Sequence, residues 1–145
     1  MTAPQNFHAS VVAFGPRTGI LIVGPSSSGK STLALGLIQA GAQLVADDQV
    51  LVSARNGALF ARTPRSIAGM IEVRGVGLLR LTHRNLSQVA LVVDMGLPPG
   101  PRLPTPQMHE MLGVPLPYLP GSTDPCFMQG LRAMMTGTLG PKGTT

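Results

Sequence analysis

Residues 24–31 read Gly24-Pro25-Ser26-Ser27-Ser28-Gly29-Lys30-Ser31, a G-x-x-x-x-G-K-S pattern that restricts what can stand on either side of it. Two glycines let the backbone bend until consecutive N–H groups point inward, and the pattern has meaning only where a strand enters the loop and a helix leaves it. The flanks supply both. Val11–Phe14 and Ile20–Val23 are short runs rich in β-branched residues, joined by Gly15-Pro16-Arg17-Thr18-Gly19, which signals a hairpin. Ser31–Ala40 predicts a helix with Leu33, Ala34, Leu37 and Ile38 on one buried face, and Gly41 stands where a left-handed cap is expected. A loop of this kind cradles phosphates on its N–H groups and on the positive end of the helix that follows. The expected ligand is therefore a nucleoside triphosphate with magnesium, bound along Gly24, Pro25, Ser26, Ser27, Ser28, Gly29, Lys30, Ser31 and Thr32. Lys30 would place its ammonium on the β- and γ-phosphates, and the Ser31 hydroxyl would ligate Mg2+.

The rest of the chain is read around that loop. At 145 residues it is long enough for one real core and too short for two. Gln43–Ser53 reads as one buried strand interrupted by Asp47 and Asp48; Leu59–Ala61, Met70–Arg74 and Gln88–Asp94 are further strands. Residues 97–106 turn Pro- and Gly-rich, Gln107–Leu112 is a candidate short helix, and Phe127–Met135 a last helix. Strands that arrive without intervening helices exclude a simple alternating βαβ chain. The expected class is α/β with a mixed, partly antiparallel sheet. The expected layout is an extension over 1–6, a P-loop domain over 7–135 and a frayed tail over 136–145.

Composition excludes several functions. Eleven Lys and Arg against six Asp and Glu give a net charge of +5, but the cations are scattered and aromatic residues make up only 3%. The basicity reflects a shortage of acid, and no stacking platform accompanies it, so nucleic acid is not an expected partner. No run of about 18 apolar residues is present to span a membrane. The first ten residues lack a signal-peptide pattern, and the single cysteine, Cys126, leaves no disulfide framework; a reducing, cytoplasmic setting is expected. Hydrophobic residues at 43% against 12% charged leave a surface poor in charge, which favours a homo-oligomer.

Six carboxylates make the search for a general base or a metal partner short. Asp94 stands at a strand end, and Glu110 and Asp124 fall in the loop-rich final third. Asp47 and Asp48 break an apolar strand, where unpaired charge is costly to bury. They are either a strand-end pair facing water or neighbours of a cation or reacting hydroxyl, and in an extended chain only one of them faces the phosphates. Glu72 and Arg74 share a strand face, as a surface ion pair or as part of a site; Gly75 and Gly77 after them predict a loop that approaches something closely. His8 alone reads as an ordinary surface histidine.

Taken together, Phe7-His8, the strand pair, Gly24–Ser31, Leu44-Val45-Ala46-Asp47-Asp48 and Ile71-Glu72-Val73-Arg74-Gly75-Val76-Gly77 resemble the catalytic domain of the bacterial HPr kinase/phosphorylase family. The resemblance covers about residues 7–80 well and the remainder weakly. It implies the P-loop kinase fold of the HPr kinase / PEP carboxykinase-like type, and transfer of the γ-phosphoryl of ATP to a serine of HPr, a small phosphocarrier. On that resemblance Asp48 is the general base, Ser31, Glu72 and Asp47 hold magnesium, Lys30 neutralises the migrating group, and His8 acts beside Asp48. Arg102 corresponds to a late catalytic arginine. The family segment tied to the reverse reaction appears as Pro117-Tyr118-Leu119-Pro120-Gly121-Ser122-Thr123 without its arginines. A phosphate nucleophile needs cationic donors, so the reverse reaction is expected to be weak or lost. Two other readings stay open: a nucleotide-dependent binding module without phosphoryl transfer, and a small-molecule P-loop kinase.

Overall fold

The structure, a computed structural model, describes residues 3–101 and 107–137. In chain order its elements are β1 (Gln5–Phe7), β2 (Ser10–Ala13), β3 (Gly19–Val23), α1 (Lys30–Gln39), β4 (Gln43–Ala46), β5 (Val50–Arg55) and β6 (Ala58–Arg62). After a 3-10 turn at Arg65–Ile67 come β7 (Met70–Val73), β8 (Gly77–Arg80), β9 (Leu86–Asp94), β10 (Gln107–Met111), β11 (Val114–Pro120) and α2 (Pro125–Thr136). Gln5 and Asn6, read from sequence as part of an extension, pair with Leu51 and Val52 of β5. Arg102, expected from the resemblance to be catalytic, and the tail from 138 onward lie outside the described residues.

The mixed sheet expected from the sequence is present, in the order β1-β5-β6-β9-β3-β2-β4, and β7–β8 forms a separate two-stranded ribbon. Strand β9 joins three others along its length. Its first residues run antiparallel to β6, residues 89–94 run parallel to β3, and Val92–Asp94 also run parallel to Tyr118–Pro120 of β11. Because β9 is covered on both faces, its run Val89-Ala90-Leu91-Val92-Val93 is almost wholly apolar, as a central strand requires.

Strand alternation divides the core in two. Val12, Ile20, Ile22, Leu91 and Val93 face α1 and α2, meeting Leu33, Ala34, Leu37 and Leu131. Val11, Ala13, Leu21 and Val92 face the other way, against Val50, Val52, Leu59 and Ala61 of β5 and β6 and Val114 and Leu116 of β11. Helix α1 ends as its sequence predicted. Gly41 has φ 115°, its N–H reaches Ile38 O at 3.0 Å, and Ala42 N–H reaches Leu37 O at 2.9 Å, the paired bonds of a Schellman cap. Gly36 admits the second helix: a methyl there would overlap the Met128 sulfur.

Two expectations fail for identifiable reasons. Gln43–Ser53 is two strands, because the Gln49 N–H closes a turn onto Asp47 O at 2.8 Å with Asp48 at φ 70°. Gln107–Leu112 is a strand instead of a helix. Leu112 and Gly113 both take positive φ, the two-residue turn that folds β10 back on β11, and Val114 and Leu116 then bury alternate side chains.

Candidate active site

The P-loop leaves β3 and enters α1 through three positive φ values, 142° at Gly24, 65° at Ser27 and 101° at Gly29. The loop admits no bulk. A Cβ at Gly24 would sit 2.9 Å from Ser28 Oγ and 3.1 Å from Gly96 N, and one at Gly29 would sit 3.0 Å from Thr123 Cγ2. Lys30 is only 7% exposed, and its Nζ donates to Gly24 O at 2.8 Å and Pro25 O at 2.9 Å. Among the described residues no carboxylate stands within 4.0 Å of that ammonium. A cation held out of water by neutral carbonyls alone is poorly compensated, and a phosphate at the loop mouth supplies the missing charge. The buried Ser28 hydroxyl oxygen also has no partner among the described residues. Small residues, inward-bent backbone and an uncompensated lysine therefore fit a polyphosphate.

Behind the loop, Asp47 ties three elements together. It is 8% exposed; Oδ1 accepts from Ser10 Oγ of β2 at 2.8 Å and from Ser31 Oγ of α1 at 3.0 Å, while Oδ2 accepts from the Glu72 backbone N–H of β7 at 3.3 Å. Asp48, in the left-handed turn at φ 70° instead of an extended strand, turns away from that cluster and faces solvent. Its Oδ1 lies 3.1 Å from His8 Nδ1, and His8 Nε2 lies 3.4 Å from Ser26 Oγ of the P-loop. With His8 and Asp48 both more than half exposed, the pair contributes at most about 1 kcal/mol to stability, so stability does not explain it.

The remaining sequence candidates are placed less tightly. The Ser31 hydroxyl stands beside Asp47, but Glu72 reaches that cluster through its backbone N–H only, and its residue is exposed. Among the described residues no three His, Cys, Asp or Glu side chains gather as a metal site. A magnesium ion does not require such a cage, since it keeps several waters and takes one or two carboxylates plus phosphate oxygens. The Ser31–Asp47 pair at the loop suits it. Arg74 donates to Ser27 Oγ at 3.3 Å, so the β7–β8 ribbon touches the P-loop and is not a detached surface ion pair. Gly75 and Gly77 correct an expectation: nothing lies within 4 Å of a Cβ at either, and their φ values of 86° and 131° serve the ribbon's turn.

Sequence reasoning missed a second support. Asp94, set aside as a strand-end residue, accepts a hydrogen bond from the Tyr118 hydroxyl at Oδ2 and from the Gly96 N–H at Oδ1, the latter 2.8 Å long. Gly96 lies against Pro25, where a Cβ would come within 2.9 Å of Pro25 Cδ. The Tyr118 hydroxyl is pushed up to about 12 by burial first, then by its hydrogen bond to Asp94 and that group's charge. The ring of His109 lies against Tyr118 with centroids 4.8 Å apart. The residues are 24 apart in sequence, and only the parallel pairing of β9 with β11 brings them together.

A strand–loop–helix phosphate cradle braced by a buried aspartate, with a second carboxylate and a histidine at its mouth, defines a P-loop domain. Comparison with known proteins narrows the class. The model of the HPr Serine kinase C-terminal domain matches residues 1–88. The chain is 48% identical over 80 residues to the HPr kinase/phosphorylase of Clostridium beijerinckii, covering 55% of this chain and 26% of that protein. It is 48% identical over 73 residues to that of Mycoplasmopsis pulmonis, covering 50% and 23%. It thus spans about a quarter of the length of the curated relatives it matches. The solved structure of the Hpr(Ser) kinase/phosphatase from Coxiella burnetii superposes with a TM-score of 0.77 at 25% identity, covering 96% of this chain and 99% of that one. This chain belongs to the HPr serine kinase C-terminal domain family. Its fold is the α/β P-loop kinase type of that family.

Proposed function

We propose that the chain is the catalytic domain of an ATP- and magnesium-dependent protein-serine kinase whose acceptor is an HPr-type phosphocarrier. The observation that carries this is the contact between His8–Asp48 and Ser26, which puts an exposed carboxylate at the mouth of a phosphate-binding loop. In the forward step the acceptor serine oxygen forms a bond to the γ-phosphorus as the bond to the β,γ-bridging oxygen breaks, leaving ADP. Asp48 takes the serine proton and His8 orients Asp48. Lys30 and the loop N–H groups hold the phosphate oxygens, so catalysis is mainly positioning and charge compensation. Magnesium, held through Ser31 with Asp47 and Glu72, would add neutralising charge when bound. Arg102 enters this reading by family resemblance alone.

Incubating the protein with labelled ATP, magnesium and an HPr-type phosphocarrier tests the proposal. Label should reach a serine of the phosphocarrier, and Asp48→Ala should lose that turnover by orders of magnitude while still binding ATP. Unlabelled phosphocarrier alongside ATP binding would sink the kinase reading and leave the nucleotide-dependent module. Reverse phosphorolysis is weak or lost in this reading, since Pro117–Thr123 carries no arginine. Pyrophosphate release from phosphoserine-phosphocarrier and phosphate, at a rate matching the forward reaction, would refute that part. A cytoplasmic homo-oligomer completes the reading, supported by the single cysteine and the exposed Val76, Leu78 and Met108; light scattering checks the assembly.

A further inference from the structure

A cavity of about 620 Å³ opens beside the P-loop, and neither His8, Asp48 nor Ser26 lines it. Its walls come from the loop itself at Ser28, from Met95 after β9, from Leu119 at the end of β11, and from Thr123, Cys126 and Phe127 at the start of α2. We infer that this cavity takes the base and ribose of the nucleotide whose phosphates lie on the P-loop. The inference rests on the reading that the P-loop binds a triphosphate.

Direction comes from the loop's two ends. Ser26 touches His8, and through His8 the carboxylate of Asp48, so the phosphate that is transferred belongs at that end. The rest of the nucleotide must leave the loop elsewhere. Ser28 is the loop residue that lines the cavity, and Thr123 Cγ2 would lie 3.0 Å from a Cβ at Gly29, so cavity wall and loop are in direct packing contact. A triphosphate with its γ end at Ser26 delivers its α end, and the attached ribose, toward this opening.

Size and chemistry agree. The volume lies within the ordinary range for small-molecule pockets, about 300–1,000 Å³. Phe127, Met95 and Leu119 give an apolar, polarizable lining that suits a planar base, and sulfur and aromatic contacts of this kind favour a π surface. Polar groups share the lining, from Ser28, Ser122, Thr123 and Asp124, with the Ser122 hydroxyl accepting from the Asp124 N–H at 3.0 Å and Asp124 Oδ1 accepting from the Cys126 N–H at 2.8 Å. Those bonds fix the rim, and the second Asp124 oxygen remains for a ribose hydroxyl or an exocyclic amine.

Cys126, the sole cysteine and exposed, makes the cavity testable without altering its walls. The experiment follows the rate of Cys126 alkylation by a maleimide in the presence of magnesium, with ATP or inorganic tripolyphosphate added. Both ligands share the phosphates, and only ATP carries a nucleoside. At ten times its Kd, ATP should slow alkylation about tenfold, while tripolyphosphate, shown by competition to occupy the loop, should leave the rate within about twofold. Lys30→Ala should abolish the protection by ATP. Equal protection by both ligands, or none by either when both bind, would overturn the assignment and place the nucleoside elsewhere. Failure of both ligands to bind would overturn the P-loop reading and this one with it.

Discussion

Ser10→Ala tests whether Asp47 is the structural knot described above. The Ser10 hydroxyl is wholly buried, donates to Asp47 Oδ1 at 2.8 Å and accepts weakly from the Asp48 N–H at 3.4 Å. A hydrogen bond to a carboxylate contributes about 1.5–3 kcal/mol, and its removal leaves a nearly buried acceptor short of one donor. The longer bond adds little. Ser10→Ala is therefore expected to lower stability by about 2 kcal/mol, which for a chain of this length is a drop of roughly 6–8 °C in Tm. Asp47→Ala alone is a less direct probe, because it also removes the cost of burying the carboxylate without a cation beside it. The double variant separates the two, with an expected coupling of about 1.5 kcal/mol by urea denaturation, since the residues touch. A coupling below about 0.5 kcal/mol would refute the argument, as would a Ser10→Ala chain as stable as the parent.

Three further outcomes follow from the same contacts. Lys30→Met should weaken binding of ATP and of tripolyphosphate alike by at least about a hundredfold while the chain still unfolds cooperatively, measured by calorimetric titration and thermal melting. Gly36→Val should separate α1 from α2, costing about 2–3 kcal/mol by overpacking, and Met128→Ala in the same chain should recover part of that loss. Tyr118 keeps its proton more firmly folded than unfolded, so its contribution is fully present below pH 10 and is lost as pH rises toward about 12; urea midpoints in that window should fall more steeply for the parent than for Tyr118→Phe.

The loop and its flanking elements were legible because their constraints are local. Gly24, Gly29 and Gly41 each occupy a backbone state that few other residues tolerate, and Leu33, Ala34 and Leu37 repeat at helix spacing. Asp47 and Asp48 were legible as an anomaly in an apolar run, but their opposite directions come from the turn at Asp48 and not from strand alternation. What held Asp47 was not legible, since Ser10 is 37 residues away and the Glu72 N–H 25 away. The helix expected over Gln107–Leu112 failed because its fate is decided by the turn at Leu112-Gly113 and by pairing with β11. The cavity wall escaped for a similar reason. Its parts, Met95, Leu119 and Phe127, look like ordinary core residues until β9 and β11 run side by side.

The turn that carries Asp48 has an evolutionary consequence. At φ 70° the backbone there favours glycine, and asparagine is the side chain most at ease after it. Both lack a carboxylate. The exposed His8 contact offers too little stability to hold an aspartate in place against that preference. Under the proposed kinase function, heat resistance and phosphoryl transfer therefore select different residues at position 48. A library screened for thermal survival alone should enrich Asp48→Gly and Asp48→Asn, yielding chains that fold well, bind nucleotide and transfer nothing.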